Sequence, residues 1–204
     1  MSGALLLLAD SQLLFRKDRG QQLHAMVRER FSGPLEAAYL GAANGHENGF
    51  YELACEGLNS LFGFGVKTHF VRTGSDLPKA PCSVVLLSGG SVATGWHMIG
   101  EKQVRGWLQR CHELPCSLMI GVSAGAIHLA NGIDPDRPEL GCQPFLNWFP
   151  HCIAVHEEHQ GWPSLVKQRG LGIPLGGGVW VEQAAGLQIQ DVGAVPTENS
   201  VQIA

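Results

Sequence analysis

The segment Gly121-Val-Ser-Ala-Gly125 sets one hydroxyl between two glycines, directly after the apolar run Leu118-Met-Ile and directly before Ala-Ile-His-Leu-Ala130, a stretch of good helix formers. A sharp strand-to-helix turn forces its central residue into a strained backbone conformation, and small residues two before and two after it keep the turn from clashing. Ser123 is therefore predicted to project above a sheet as a nucleophile. The backbone N–H of Ala124, at the helix amino terminus, would face a developing oxyanion. An ordinary serine cap also puts a hydroxyl at a helix start, but it does not require glycine on both sides. A second glycine feature, Leu87-Ser-Gly-Gly-Ser-Val92, follows another apolar run. Glycine lets backbone approach a substrate closely and such a turn exposes N–H groups, so Gly90 is a candidate second oxyanion donor. A plain tight turn before a helix accounts for the same residues equally well. Neither phosphate-loop pattern, G-x-x-x-x-G-K-[ST] or G-x-G-x-x-G, can be written through it.

A serine nucleophile needs a base, and the histidines bunch in Pro150-His-Cys-Ile-Ala-Val-His-Glu-Glu-His-Gln-Gly161. Neutral imidazole can take the hydroxyl proton and return it to a leaving amine. His156 closes the short apolar run Cys-Ile-Ala-Val, which puts it at the carboxyl end of a predicted strand and on the same edge as Ser123. His151 falls at the other end of that strand, and His159, in the following turn, is the fallback base. His128 lies inside the helix after the elbow and points away from it. A metal cluster with Glu157 or Glu158 as an oxygen ligand is the competing reading of these histidines. It fits poorly, because H-E-x-x-H needs histidines four apart and His156 and His159 are three apart. No metal and no cofactor are expected.

These side chains need a frame. Apolar runs bounded by Gly, Pro and polar clusters alternate with stretches of helical spacing, the pattern of βαβ units. Strands are predicted over Ala4 to Ala9, Leu35 to Leu40, Val66 to Val71, Ser83 to Leu87, Ser117 to Gly121 and Cys152 to Val155, several of them continuously apolar as buried parallel strands are. Gln21 to Phe31, Gly49 to Phe62 and Lys102 to His112 read as helices covering the sheet. Pro163 to Gln168 reads as one short helix, and Gly170 to Ala204 as antiparallel hairpins on the sheet edge. The prediction is α/β: a three-layer sandwich with a mostly parallel central sheet, forming one domain over residues 1–204 with a hairpin-rich tail from about 170. Ligands then belong at the carboxyl ends of the strands.

Composition narrows the partners. Hydrophobic residues at 45% against 16% charged suit a packed core and exclude a disordered chain. A formal charge of −4, spread thinly, leaves no footprint for nucleic acid or an anionic membrane. No apolar run approaches the roughly 18 to 20 residues of a spanning helix. The opening, Met1 to Asp10, reads as a buried first strand rather than a signal peptide, so a cytoplasmic location and six reduced cysteines, acting as small buried hydrophobes, are expected. The five tryptophans are expected to be mostly buried, with a homodimer left open.

With Gly-Val-Ser-Ala-Gly-Ala, the Ser-Gly-Gly-Ser loop, Leu40-Gly-Ala-Ala-Asn-Gly45, and Phe149-Pro150 followed by His156, the chain resembles the aspartyl dipeptidase (peptidase E) and cyanophycinase group of serine peptidases, from the first strand to about Val181. The resemblance implies a class I glutamine amidotransferase-like, flavodoxin-like fold, Ser123 as nucleophile, His156 as base, and Gly90 with Ala124 as oxyanion donors. It implies a small peptide or amide substrate cleaved by acyl-enzyme chemistry. One departure matters. The group carries the acid of its triad in a segment reading Gly-[Leu/Ile]-Pro-Glu-Gly or Gly-Ile-Asp-Glu-Gly, whereas this chain reads Gly172-Ile-Pro-Leu-Gly176, with Leu175 at the acid position. Glu157, Glu158, Asp134, Asp136, Glu139 and Glu182 are substitutes among which the sequence does not choose. The stretch Ala154-Val-His lacks the Asp-x-His of cyanophycinases, which disfavours that substrate. A dipeptidase preference for amino-terminal Asp would need a cation such as Arg72, Lys79, Arg105 or Arg137 at the site. The rival expectation, drawn from Leu175, is a catalytically degraded member that binds a metabolite or protein through the same pocket. Amidotransferase chemistry is disfavoured because it uses Cys at the elbow.

Overall fold

The run Ala4–Leu8 presents no polar side chain, and all five residues are buried. A strand holds such a run only inside a sheet covered on both faces. The computed structural model, which describes residues 3–166, 169–182 and 187–199, places it there. In chain order the elements are β1 (Ala4–Leu8), α1 (Gln12–Phe15), α2 (Lys17–Arg30), β2 (Leu35–Leu40), α3 (Asn48–Phe62), β3 (Val66–Val71), β4 (Val84–Leu87), α4 (Val92–Ile99), α5 (Lys102–His112), β5 (Leu118–Val122) and α6 (Ala124–Leu129). There follow β6 (Asn131–Gly132), β7 (Gln143–Pro144), β8 (Cys152–Val155), β9 (Gly170–Ile173), β10 (Gly177–Glu182), β11 (Gln188–Gly193) and β12 (Thr197–Asn199).

The main sheet has the order β11-β10-β1-β5-β4-β2-β3. Its five strands from β1 to β3 are parallel, and β10 and β11 add an antiparallel edge. Because side chains alternate along a strand, β1 feeds two cores: Leu5 and Leu7 pack with α4, α5 and α6 through Val92, Trp107 and Ile127, while Ala4, Leu6 and Leu8 pack with α1, α2 and α3 through Leu14, Val27 and Leu58. Each fully buried leucine contributes about 1.5–3 kcal/mol. This is the three-layer α/β sandwich expected from the sequence. Local signals set the helix ends. Gly63, at φ +78°, caps α3 with its N–H on Asn59 O, and the Ser91 hydroxyl accepts from Thr94 N–H to open α4. That helix, with a β-branched start and a mid-helix glycine, has a weak sequence signal and forms where the Ser91 cap and the packing against α6 hold it.

Three expectations need correction. Cys152–Val155 is a strand, but it belongs to a second, five-stranded sheet of order β12-β9-β8-β6-β7; four apolar residues do not say which sheet they join. The tail divides: β10 and β11 form the expected antiparallel hairpin beside β1, whereas β9 runs parallel to β8 and β12 pairs antiparallel with β9. Cys142 and Cys152 are joined as a disulfide instead of standing reduced, because the pairing of β7 and β8 through β6 brings them within 6.0 Å at Cα. Of Pro163 to Gln168, Pro163–Leu165 forms a 3-10 turn and residues 167–168 lie outside the described residues, as do 183–186 and 200–204 of the tail. Trp107, Trp162 and Trp180 are buried and Trp96 and Trp148 partly so. Among the described residues no helix is long and apolar enough to cross a membrane.

Candidate active site

Ser123 sits between β5 and α6 at φ +51° and ψ −111°, a region that costs a non-glycine residue about 1–3 kcal/mol. The surroundings impose it. The Ser123 N–H donates to Leu8 O at 2.8 Å, and its carbonyl accepts from Ala126 N–H at 2.9 Å and Ile127 N–H at 3.2 Å. Both backbone groups are committed, and the hydroxyl makes no capping hydrogen bond to the helix. The two flanking glycines have the predicted steric cause: a Cβ on Gly121 would lie 2.5 Å from the carbonyl of Gly125, and one on Gly125 would overlap Leu87 O.

The Gly89-Gly90 loop lies against this turn; a Cβ on Gly89 would meet the Ser123 Cβ at 3.2 Å. Ser88 N–H donates to Leu40 O at 3.1 Å and Ser91 N–H to Ala43 O at 2.8 Å, so the loop is pinned at both ends to the carboxyl end of β2. Gly90, at φ +135°, has no room for a side chain because a Cβ would overlap Ala43 O. Among the described residues, neither Gly90 N–H nor Ala124 N–H finds an acceptor within the chain.

A cavity of about 910 Å³ opens here, lined by Ser123, Gly90, Ala124 and, from the second sheet, His156. His156 follows β8 at φ +63°, so two of the six non-glycine residues at positive φ among the described residues line one space. Its ring is exposed, Ser123 is half-buried, and no hydrogen bond joins them; in unliganded sites such bonds are often long and tighten on binding. The other histidines go elsewhere. His151 packs its ring on Phe149 at 5.0 Å, beside a different cavity, and His159 is exposed. His128 is buried in α6, donates from Nε2 to Val92 O at 2.8 Å and stacks on Trp96; burial pushes its pKa down to about 4.

At the level of sequence, no family model and no curated protein matches the chain. Solved structures do. A peptidase from an acI-B1 actinobacterium superposes with TM-score 0.69 at 13% identity, over 96% of this chain and 89% of its own. A candidate peptidase E from Listeria monocytogenes EGD-e gives 0.61 at 13% identity, over 96% and 100%. The fold is the one these two proteins share. Within that fold the elbow, the glycine loop and the histidine occupy one cavity, whereas the position where the sequence resemblance expects an acid holds Leu175, half exposed.

The candidate carboxylates sort by their partners. Glu182 is committed to Arg30 and Trp180 on the far edge of the sheet, and Asp134, buried, to Arg137 and the Asp136 N–H. Asp136 and Glu139 are exposed. Glu157 lines the cavity but accepts from the N–H and hydroxyl of Ser164. Glu158 differs: Oε1 accepts the N–H of Leu175 itself at 3.3 Å, and Oε2 is buried without a partner. The Leu175 loop is tied on its other side by Gly176 N–H to Asp10 at 2.5 Å. None of the carboxylates pairs with His156 among the described residues. Among the described residues no Lys or Arg lines the cavity, while Glu139 and Glu157 do. Arg72 lies over the Phe70 ring at 3.9 Å and Arg137 is paired with Asp134; Lys79 borders a separate hollow. The sequence reading missed the role of Ala42–Asn44 in clamping Gly90; the signal was there in Gly41 and Gly45, which bracket a tight turn after β2.

Proposed function

We propose that the chain is a serine-type peptidase-like hydrolase of small peptides or amides. Ser123 Oγ attacks the substrate carbonyl while His156 takes its proton; the oxyanion is met by the N–H groups of Gly90 and Ala124. His156 then protonates the leaving amine. Water, giving its proton to His156, cleaves the acyl ester and frees Ser123. The observation that carries this reading is the strained turn at Ser123, held by backbone bonds at both ends and opening on a cavity that His156 also lines. Glu158 is the carboxylate we assign to orient His156: it lies two residues further along the same loop, reaches the backbone of Leu175, and keeps one buried oxygen unspent. The test is a fluorophosphonate probe, which should label the wild-type chain at Ser123 and not the Ser123→Ala variant. Absence of labelling, under conditions that label a known serine peptidase, removes the proposal.

The second reading, a binder without turnover, draws on Leu175 and on the lack, among the described residues, of a carboxylate paired with His156. Stabilisation by dipeptides without hydrolysis of any dipeptide or acyl ester would favour it.

A further inference from the structure

A second cavity, of about 400 Å³, shares Gly90 with the first and is also bounded by Gly89 and by Val122, the residue before the nucleophile. It opens on the opposite face of the sheet from α6, between the carboxyl ends of β2, β4 and β5 and the first turns of α3. Its walls are apolar, from Leu14, Leu53, Ala54, Leu86 and Val122. Its polar groups are few. The Tyr39 hydroxyl accepts from Asn44 Nδ2 at 2.7 Å, and among the described residues Asn44 Oδ1 is buried without a partner. Ser88 is 5% exposed, and its hydroxyl lies near that of Tyr39 without closing a hydrogen bond or finding another partner. Glu47 stands at the rim.

We propose that this cavity is the side-chain pocket of the same site, taking an apolar side chain that ends in an O–H donor, as tyrosine does, and not an acidic one. The proposal rests on Ser123 being the nucleophile. Buried polar atoms are nearly always hydrogen-bonded, so unpaired ones beside an apolar cavity mark where a ligand's polar tip belongs. A hydroxyl tip fits these groups because it can both donate and accept. Asn44 Oδ1 and the Glu47 carboxylate can only accept, whereas the Ser88 hydroxyl can donate or accept and Asn44 Nδ2 keeps a second N–H beyond the one on Tyr39. A carboxylate there would meet the Glu47 carboxylate and, among the described lining residues, no Lys or Arg, and the Ser123 cavity adds the carboxylates of Glu139 and Glu157. Gly90 joins the two spaces: an acyl group on Ser123 whose oxygen meets the Gly90 N–H has the second cavity immediately beside it. This specificity departs from the preference for amino-terminal Asp that the sequence resemblance implies.

Diphenyl aminoalkylphosphonates test it without requiring turnover: the serine oxygen bonds to phosphorus and phenoxide leaves, its proton going to the base. Reagents carrying the Tyr, Phe and Asp side chains are compared on the full wild-type chain with a fluorophosphonate that carries none. The expected result is labelling at Ser123 in the order Tyr, Phe, Asp, with the Tyr reagent about tenfold or more faster than the Asp reagent. Leu53→Trp, which fills the cavity from its exposed rim, should erase the advantage of Tyr over Asp, and Ser88→Ala should bring Tyr down to Phe. Labelling by the fluorophosphonate with Asp equal to or ahead of Tyr overturns the pocket and leaves the hydrolase reading standing. Equal rates for Tyr and Phe overturn the polar tip. If neither class of reagent labels Ser123, the hydrolase reading falls and the pocket with it. Should either variant fail to fold, the wild-type order decides alone.

Discussion

The proposed nucleophile and the proposed base reach one cavity from unlike surroundings. Ser123 and Gly90 stand at the carboxyl ends of β5 and β4, inside a sheet buried on both faces, and their backbones are fixed by Leu8, Leu40 and Ala43 from neighbouring strands and turns. His156 follows a four-residue strand in a sheet whose β6 and β7 are two residues each, tied by the Cys142–Cys152 bond and by Glu157 to Ser164. Strain is affordable where many contacts oppose its release. On the proposed mechanism, the lesson is that the main sheet presets the attacking atom and the oxyanion donors, while the smaller sheet sets where the imidazole stands.

If that division is right, damage to the base should be chemical and damage to the nucleophile's frame structural. His156→Ala should lower kcat on a peptide substrate by about 10⁴-fold or more with Tm nearly unchanged, since the residue is exposed. Glu158→Gln should lose less, on the order of 10²-fold, and distort the pH–rate profile. An unchanged profile would remove Glu158 from its assigned role. Gly90→Ala should do both kinds of harm. A Cβ there overlaps Ala43 O, so a loss of roughly 1–3 kcal/mol is expected by denaturant titration, together with about 10²–10³ in kcat from the displaced donor. Gly161→Ala, on the base's side, is the control. Its φ is +72° but nothing lies within 4 Å, so it should cost only about 1 kcal/mol.

Acid should strike the main sheet's helix layer. His128, in α6, has its folded-state pKa pushed from 6.5 to about 4 by burial. Its contribution is complete above the unfolded value, is lost as the pH falls from about 6.5 towards 4, and changes no further below that. The loss is on the order of 3 kcal/mol, visible as a falling Tm across that window. His128→Phe should flatten that limb even though it lowers the plateau. A smaller effect than that of acid belongs to the second sheet: Cys142→Ser should cost about 2 kcal/mol and speed amide exchange in β8 more than in β5.

The frame of the site was legible because its cause is local. Glycines two residues either side of Ser123 and continuous apolar runs such as Ala4–Leu8 have one steric explanation each, and the coordinates bear both out. Strand β8 was legible as a strand but not as a member of the second sheet, since that depends on pairing with β6 and β9, far away in the chain. The disulfide was missed for the same reason. Glu158 was one name among six until the Leu175 loop was seen to fold onto it.

The amino-acid sequence by itself determined the parallel α/β layering, the position of the strained turn and the identity of the hydroxyl on it, because hydrophobic period and steric size act over a few residues. Only the tertiary structure decided which histidine shares a cavity with Ser123, which carboxylate meets the vacated acid position, and that a second pocket adjoins Gly90. Those are distances between segments widely separated along the chain, and they exist only once the two sheets have packed.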